Sequence, residues 1–282
     1  MVKFIDRLQS SVVSVLESGS ETDLEETLVS TRNKRSKPFN PDDLDEIDSL
    51  FFEAAPESPP ESRTKRRLRL VALVSPKGGT GKTSIAVNLA GSMKSSQRQT
   101  AVMDLDPRGA ARRWASSGKG LPFEVHRFEP NQGAAAFRHT LSNLSSEVDV
   151  LIIDTPPGSG ASTRLALQVA DLVLIPAGAS ALDLEATRET IDAAHSARHG
   201  RDGELPRTMI VPSRQLHSTR LARTFKQEVK DLDVPTAPAI GQRVEVAAAA
   251  TAGRLVRPAS EAGREFTRLG RYVWKQIRKV PS

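Results

Sequence analysis

A glycine-rich stretch between an apolar run and a helical pattern constrains this chain more than any other feature. The apolar run is Leu70–Val74, and the residues that follow from Ser75 read Ser-Pro-Lys-Gly-Gly-Thr-Gly-Lys-Thr-Ser, then Ile-Ala-Val-Asn-Leu. Glycines let the backbone curl so that successive N–H groups point at one place. The N-terminus of the following helix adds its partial positive charge there. The pattern predicts a strand, a loop and a helix that together cradle phosphate.

Two side chains of the loop add chemistry to the backbone cradle. Lys82 supplies a full positive charge for β- and γ-phosphates, and the Thr83 hydroxyl is a ligand for Mg²⁺. A chance glycine-rich turn is the alternative, and the flanking strand and helix patterns argue against it. Phosphate contacts are predicted for the following residues: Gly78, Gly79, Thr80, Gly81, Lys82, Thr83 and Ser84.

The two lysines of the loop carry a family resemblance. Lys77 stands just ahead of the glycines, giving K-G-G-x-G-K-T, which resembles the deviant Walker A motif of the ParA/MinD family of SIMIBI-class P-loop ATPases. The resemblance implies an ATP-bound sandwich dimer in which Lys77 reaches the other subunit's phosphates and Lys82 acts in its own subunit. It also implies an α/β P-loop NTPase fold, with a doubly wound, mostly parallel sheet flanked by helices.

Two aspartates follow the second predicted strand, in the sequence Asp104-Leu-Asp106-Pro-Arg108-Gly. A carboxylate just past a strand's carboxyl end lies where open α/β sheets bind ligands, although Asp-Pro-Arg-Gly also forms a good turn. The segment resembles the family's switch I motif, D-x-D-P-Q, except for Arg108 in place of glutamine. The resemblance implies that Asp106 positions or activates the attacking water, as a catalytic residue, and that Asp104 supports Mg²⁺ and the loop.

Four apolar residues end in another aspartate at Asp154. Such a run fits a central parallel strand buried on both faces, and Asp154 is placed to hold a water of the Mg²⁺ shell. Thr155–Gly158 resembles the family's switch II. Thr83, Asp104 and Asp154 are the predicted metal residues. No N-K-x-D guanine-reading motif occurs, which favours ATP over GTP.

From Leu68 onward, short apolar runs alternate with helical stretches, which predicts βαβ units and a parallel sheet. The sequence around residue 213, after a predicted strand, matches the region where related proteins contact adenine. Strands are predicted over 70–74, 100–105, 123–128, 150–153, 171–176 and 208–211, and helices over 131–144, 181–199 and 260–278.

Charge divides the chain into two parts. Residues 1–62 hold 6 Lys and Arg against 14 Asp and Glu, and the remaining residues hold 34 against 20. We predict an acidic, largely flexible extension over 1–67, with either a docking helix or a frayed leader helix in its first 19 residues, and a ParA-like ATPase domain over 68–282. Self-inhibition, in which the acidic extension covers the basic body, is a hypothesis for its role.

The basic body predicts a polyanion partner, with ordinary solvated surface charge as the alternative. In the family, the region after the last strands includes basic residues that contact DNA. The predicted closing helix has one apolar face, formed by Phe266, Leu269, Val273 and Ile277, and basic residues on the rest of its surface. We therefore expect non-specific, salt-sensitive DNA binding. The predicted DNA-binding residues are Arg243, Arg254, Arg264, Arg268 and Arg271.

Composition excludes several other classes. The chain of 282 residues has no cysteine, which excludes disulfides, thiol catalysis and the Fe–S relatives of the family. It has no apolar run of 18 residues and no signal-peptide pattern, so we expect a soluble intracellular protein.

The resemblance implies a ParA-like ATPase with ATP and Mg²⁺ as cofactors. It would dimerise with ATP, bind nucleoid DNA in the cytoplasm and position a plasmid, chromosome or other cargo. A ParB-like or other cargo-bound activator would stimulate hydrolysis. One alternative is a MinD-like membrane switch, for which Tyr272, Trp274 and Ile277 supply apolar side chains on the basic closing helix. Another is a DNA-binding regulator or scaffold with a structural nucleotide site.

Overall fold

The computed structural model describes residues 67–118, 120–199, 205–215, 225 and 227–280. The extension predicted for 1–67 lies outside the described residues, apart from Arg67. The candidate helix within its first 19 residues and the domain boundary therefore stay predictions.

The described residues form a sheet of seven strands in which every neighbouring pair is parallel. The strands are β1 (Arg69–Leu73), β2 (Thr100–Asp104), β3 (Glu124–Arg127), β4 (Val150–Asp154), β5 (Leu172–Ala177), β6 (Arg207–Gln215) and β7 (Ile240–Gly241). Their order in the sheet is β3-β2-β4-β1-β5-β6-β7. The central strands are continuous apolar runs because helices cover both of their faces.

Helices pack against both faces of this sheet. The helices are α1 (Lys82–Met93), α2 (Ala110–Ser116), α3 (Gly133–Leu144), α4 (Ala161–Val169), α5 (Ala181–His199), α6 (Val244–Thr251) and α7 (Glu261–Ile277). Alternate residues of β1 enter different hydrophobic clusters: Val71 and Leu73 pack with α1, α2 and α7, and Ala72 packs with α3, α4 and α5. This is the doubly wound α/β fold predicted from the sequence, which is confirmed.

The carboxyl ends of three neighbouring strands meet at one edge of the sheet. Asp104 at the end of β2 pairs in register with Asp154 at the end of β4, and Asp154 pairs with Leu73 at the end of β1. The chain therefore brings the glycine-rich loop after β1 next to both aspartates. This edge is where open α/β sheets bind ligands.

The closing helix α7 lies close to its predicted bounds. Ser260 is its N-cap, and the Ser260 hydroxyl accepts a hydrogen bond of 3.1 Å from the N–H of Gly263. The predicted apolar face is buried in the same cluster as α1: Phe266, Leu269, Val273 and Ile277. Because the arginines lie on the other face, the helix binds the domain on one side and meets solvent on the other.

We expect Gly263→Ala to destabilise the protein, although alanine normally favours a helix over glycine by about 1 kcal/mol. A Cβ on Gly263 would lie 1.9 Å from the carbonyl oxygen of Arg257, so the backbone must shift. The expected loss in free energy of unfolding is about 1–3 kcal/mol, measured by urea denaturation. The control is Arg268→Ala on the exposed face of α7, expected to stay within about 0.5 kcal/mol of wild type. Equal stabilities of the two variants would contradict the packing described.

Candidate nucleotide-binding site

The loop between β1 and α1 has the backbone shape that its glycines predict. Gly79 and Gly81 have φ angles of +74° and +91°, values that residues with a Cβ adopt only under strain. Gly81 is the N-cap of α1, and no side chain caps the helix. The first N–H groups of α1 are therefore available to an anion at the loop.

Lys82 holds its ammonium group against this loop. Its Nζ atom donates hydrogen bonds of 3.0 Å and 3.1 Å to the carbonyl oxygens of Ser75 and Lys77, and the residue is only 6% exposed. Burial lowers the pKa of Lys82, and the nearby carboxylates of Asp154 and Asp106 oppose that shift. A phosphate in the loop would supply the negative charge that a buried ammonium group favours.

Thr83 and Asp154 form a pair of oxygen donors beside the loop. The Thr83 hydroxyl donates a 2.7 Å hydrogen bond to Oδ2 of Asp154, and Oδ1 of Asp154 is buried without a partner among the described residues. Burial raises the pKa of Asp154 to about 7. A cation at Oδ1 would favour the ionised carboxylate.

These donors fit Mg²⁺, which binds proteins through one or two oxygen ligands and completes its shell with phosphates and water. In the part of the chain that the structure describes, no cluster of three or more His, Cys, Asp or Glu residues could hold a metal alone. A metal at this site would therefore be held jointly by the phosphates and the protein. The protein would contribute the Thr83 hydroxyl and Asp154, which would contact the metal directly or through a water.

Asp104 holds the loop that follows β2. Its two carboxylate oxygens accept backbone hydrogen bonds from Asp106 (3.0 Å) and from Arg112 in α2 (3.1 Å), and the residue is fully buried. Burial raises the pKa of Asp104, and these backbone bonds partly offset the shift. Asp104 therefore ties the loop to the start of α2, and its role with metal stays a prediction.

Asp106 lies in a tight turn at the edge of the cleft. Its Oδ1 atom accepts a 2.9 Å hydrogen bond from the N–H of Arg108, and its carbonyl oxygen accepts a 2.7 Å bond from the N–H of Gly109. The turn is possible because Gly109 has a φ of +62°. Asp106 lines the same cleft as the glycine-rich loop. Its role with the attacking water stays a prediction.

Lys77 is not among the residues that line this cleft, and it pairs with α5. Its Nζ atom lies 2.6 Å from Oδ1 of Asp183, and its side chain is 40% exposed. Ser180 donates a 2.6 Å hydrogen bond to the other oxygen of Asp183. Burial alone would raise the pKa of Asp183, but the bonds from Lys77 and Ser180 bring it below the usual value.

Several residues at the site were not predicted individually from the sequence. At the end of β6, the Ser213 hydroxyl donates a 2.8 Å bond to the carbonyl oxygen of Thr80, and a guanidinium nitrogen of Arg214 donates a 2.6 Å bond to that of Gly79. Arg214 has a φ of +55°, an unusual conformation for a residue with a side chain. Only the region around residue 213 was predicted, from the family resemblance.

The loop, the aspartate turn and the end of β6 enclose a cleft of about 790 Å³. This size suits a ligand such as a nucleotide. Its lining includes Gly78–Ile85, Asp106, Arg108, Thr155, Pro157, Ser213, Arg214, Ile240–Val244, Val246, Ala247 and Phe266. The fold and this site define a P-loop nucleoside-triphosphate-binding protein.

Comparison with known proteins assigns the family. The model of the CobQ/CobB/MinD/ParA nucleotide binding domain matches residues 71–256, and the chain belongs to this family of P-loop ATPases. The chromosome partitioning protein ParA of Myxococcus xanthus is 28% identical over 203 residues, covering 57% of this chain and 70% of that protein.

Two further proteins extend the similarity. The maintenance of carboxysome distribution protein A of Gloeobacter kilaueensis is 34% identical over 128 residues, covering 45% of this chain and 56% of that protein. An ATP complex of a McdA variant from Cyanothece has the same fold, with a TM-score of 0.60 at 17% identity, covering 77% of this chain and 99% of that one.

The predicted DNA-binding arginines fall into two structural groups. Arg243 lines the cleft, and its guanidinium pairs with Glu261 at 2.5 Å and with Glu265 at 2.9 Å. The others are exposed on the surface: Arg254, Arg264, Arg268 and Arg271. Contact of either group with DNA stays a prediction.

We expect Lys82→Ala to weaken ATP binding by roughly 10- to 100-fold, because it removes charged hydrogen bonds to phosphate. Binding is measured by titration of a fluorescent ATP analogue with Mg²⁺ present. Lys275→Ala, which removes an exposed ammonium group on α7, is the matched control. Thermal unfolding of each variant verifies that it is folded. Unchanged affinity in a folded Lys82→Ala variant would contradict the assignment of the cleft.

We expect Asp183→Asn to release Lys77, because it removes the charge that holds the ammonium group. Acylation of Lys77 by an amine-reactive reagent, followed by mass spectrometry, should become about 2- to 5-fold faster, the range for a partly exposed ion pair. Asp192→Asn, an exposed position on α5, should leave the rate unchanged. The same rate in both variants would show that Asp183 does not hold Lys77 in solution.

Proposed function

We propose that this chain is a ParA-like ATPase that dimerises with ATP, binds DNA without sequence preference and positions a cargo. Hydrolysis, stimulated by a cargo-bound partner protein, releases the ATPase dimer from DNA. The observation that carries the proposal is the combination of an ATPase cleft with a separate, exposed row of arginines on α7. The names of the Myxococcus and Gloeobacter relatives, which denote partitioning and distribution, support a positioning role.

The cleft supplies what ATP hydrolysis needs from a protein. A water oxygen bonds to the γ-phosphorus, the bond from phosphorus to the β,γ-bridging oxygen breaks, and the water proton leaves for the phosphate or Asp106. Lys82 and the N–H groups of α1 stabilise the charge that develops on the phosphates. Mg²⁺, held through Thr83 and Asp154, would neutralise phosphate charge. Asp106 orients the water at the mouth of the cleft.

The position of Lys77 supports a dimer with a shared site. Its side chain is 40% exposed and lies outside the lining of its own cleft, paired with Asp183. A lysine that leaves this pair can reach a second subunit placed face to face. In the monomer, the ion pair holds Lys77 in a defined position. In the dimer, the proposed target of Lys77 is the ATP of the other subunit.

The exposed face of α7 supports DNA binding. Arg264, Arg268, Arg271, Lys275 and Arg278 are all exposed, and their spacing keeps them on the solvent side of one helix. Such a row binds the phosphate backbone by charge and carries no base-reading pattern. We therefore propose non-specific DNA and a cytoplasmic, nucleoid-associated location.

The packing of α7 argues against the membrane alternative. Ile277 is buried in the domain, and Tyr272 and Trp274 are partly buried against the same cluster. The ring of Trp274 also stacks under the guanidinium of Arg98 at 4.3 Å. A helix whose apolar face is already buried has none left for lipid. No helix in the described ranges is long and apolar enough to cross a membrane.

We expect wild-type protein to bind unrelated DNA duplexes with ATP and not with ADP. Lys82→Ala should abolish this binding, and Asp106→Ala should keep it, since the ATP-bound state would persist without hydrolysis. Arg268→Ala should weaken binding and reduce the slope of log K against log salt by about 1, because one phosphate contact is lost. The assay is fluorescence anisotropy over a salt series.

The matched control is Arg138→Ala, an exposed arginine on α3. Binding that ignores the nucleotide would favour the DNA-binding scaffold in place of the switch. Binding to anionic vesicles instead of DNA would favour a membrane switch. Equal salt slopes for Arg268→Ala and Arg138→Ala would remove α7 from the DNA interface.

A further inference from the structure

Within the part of the chain that the structure describes, four positively charged side chains line the nucleotide cleft, and three of them are held by protein partners. Lys82 bonds to carbonyl oxygens of the loop, Arg214 bonds to Gly79, and Arg243 pairs with two glutamates of α7. Among the described residues, the guanidinium of Arg108 has no such partner. Of these four side chains, Arg108 can turn to a ligand without breaking a contact with a described residue.

The backbone of Arg108 is fixed even though its side chain is exposed. The Arg108 N–H donates to the carboxylate of Asp106 at 2.9 Å, and the next N–H closes the turn onto the Asp106 carbonyl oxygen at 2.7 Å. Arg127 donates a 3.3 Å bond to the carbonyl oxygen of Pro107 in the same turn. The turn therefore projects the guanidinium from a defined point, two residues from the carboxylate proposed to orient the water.

The chemistry of this position differs from that of the motif it resembles. Glutamine, the residue of the family motif at this point, would bring a neutral amide to the cleft. Arginine brings a full charge and a planar fork of donors that matches two phosphate oxygens at once. A guanidinium that contacts the transferred phosphate stabilises the charge of the transition state. Charge placed beside the γ-phosphate also favours ATP over ADP, which lacks that group.

We propose that Arg108 contacts the γ-phosphate of the ATP bound in its own subunit, as a third phosphate-binding charge beside Lys82 and Lys77. The inference rests on the proposed ATPase function and deepens it. Arg108 selects the triphosphate and speeds hydrolysis before any partner protein binds. This chain therefore carries within switch I part of the charge that an activator would otherwise supply.

The test compares Arg108→Gln and Arg108→Lys with Arg113→Gln. Arg113 is an exposed arginine on α2, and it does not line the cleft. Two quantities are measured: the ratio of affinities for AMPPNP and ADP with Mg²⁺, and the single-turnover rate of ATP hydrolysis. Arg108→Gln should lower the affinity ratio by roughly 10-fold, the effect of losing a charged hydrogen bond. It should slow hydrolysis by about 10-fold or more.

Arg108→Lys should fall between the wild type and Arg108→Gln, because lysine keeps the charge and loses the fork. Arg113→Gln should match the wild type in both quantities. If Arg108→Gln matches Arg113→Gln, or hydrolyses ATP faster than wild type, the proposal is overturned. Unfolding temperatures of all variants confirm that they are folded, as expected for a change at an exposed side chain.

Lys82→Ala separates this proposal from the proposed function on which it rests. Loss of ATP binding in Lys82→Ala together with wild-type behaviour of Arg108→Gln would overturn only the role of Arg108. Normal ATP binding in Lys82→Ala would overturn the ATPase assignment itself, and the Arg108 proposal with it.

Discussion

Burial of the Asp154 carboxylate is the constraint on which the site depends. A charged group in a dry environment is costly unless other charges and hydrogen bonds compensate. Thr83 compensates one oxygen, Lys82 adds a positive charge nearby, and the second oxygen has no partner in the described chain. The buried carboxylate lies next to the phosphate loop because β4 lies between β1 and β2 in the sheet. The residual charge would favour a cation at this edge of the sheet.

Much of this arrangement could be predicted from the sequence because its determinants are local. The loop, Asp104, Asp106 and Asp154 each follow an apolar strand directly, and parallel strands bring their carboxyl ends together. The pairing partners of the loop could not be predicted in the same way. Asp183 contacts Lys77 from 106 positions along the chain, and Arg214 contacts Gly79 from 135 positions away. Neither partner lies in a pattern that distinguishes it from ordinary surface charge.

Arg243 shows why charge alone is a weak guide to an interface. In the sequence it stands beside an alanine-rich segment and looks available to DNA. In the fold it pairs with two glutamates of α7, 18 and 22 positions later, and closes one side of the cleft. The arginines of α7 were easier to place because the apolar positions of a helix repeat every three or four residues, which fixes the solvent side. The sequence pattern of a helix shows which side chains are exposed, whereas the exposure of a loop residue depends on its tertiary contacts.

The packing of α1 limits how ATP would control the basic helix in the proposed function. The N-terminus of α1 adjoins the glycine-rich loop, and its body packs on α7 within one cluster. Asn88 of α1 also accepts a 3.0 Å bond from the N–H of Val256, just before α7. A rigid connection of this kind leaves little room for α7 to move when ATP binds. The proposed control of DNA binding is therefore better explained by the proposed dimerisation, because two linked basic helices would bind one duplex far more tightly than either alone.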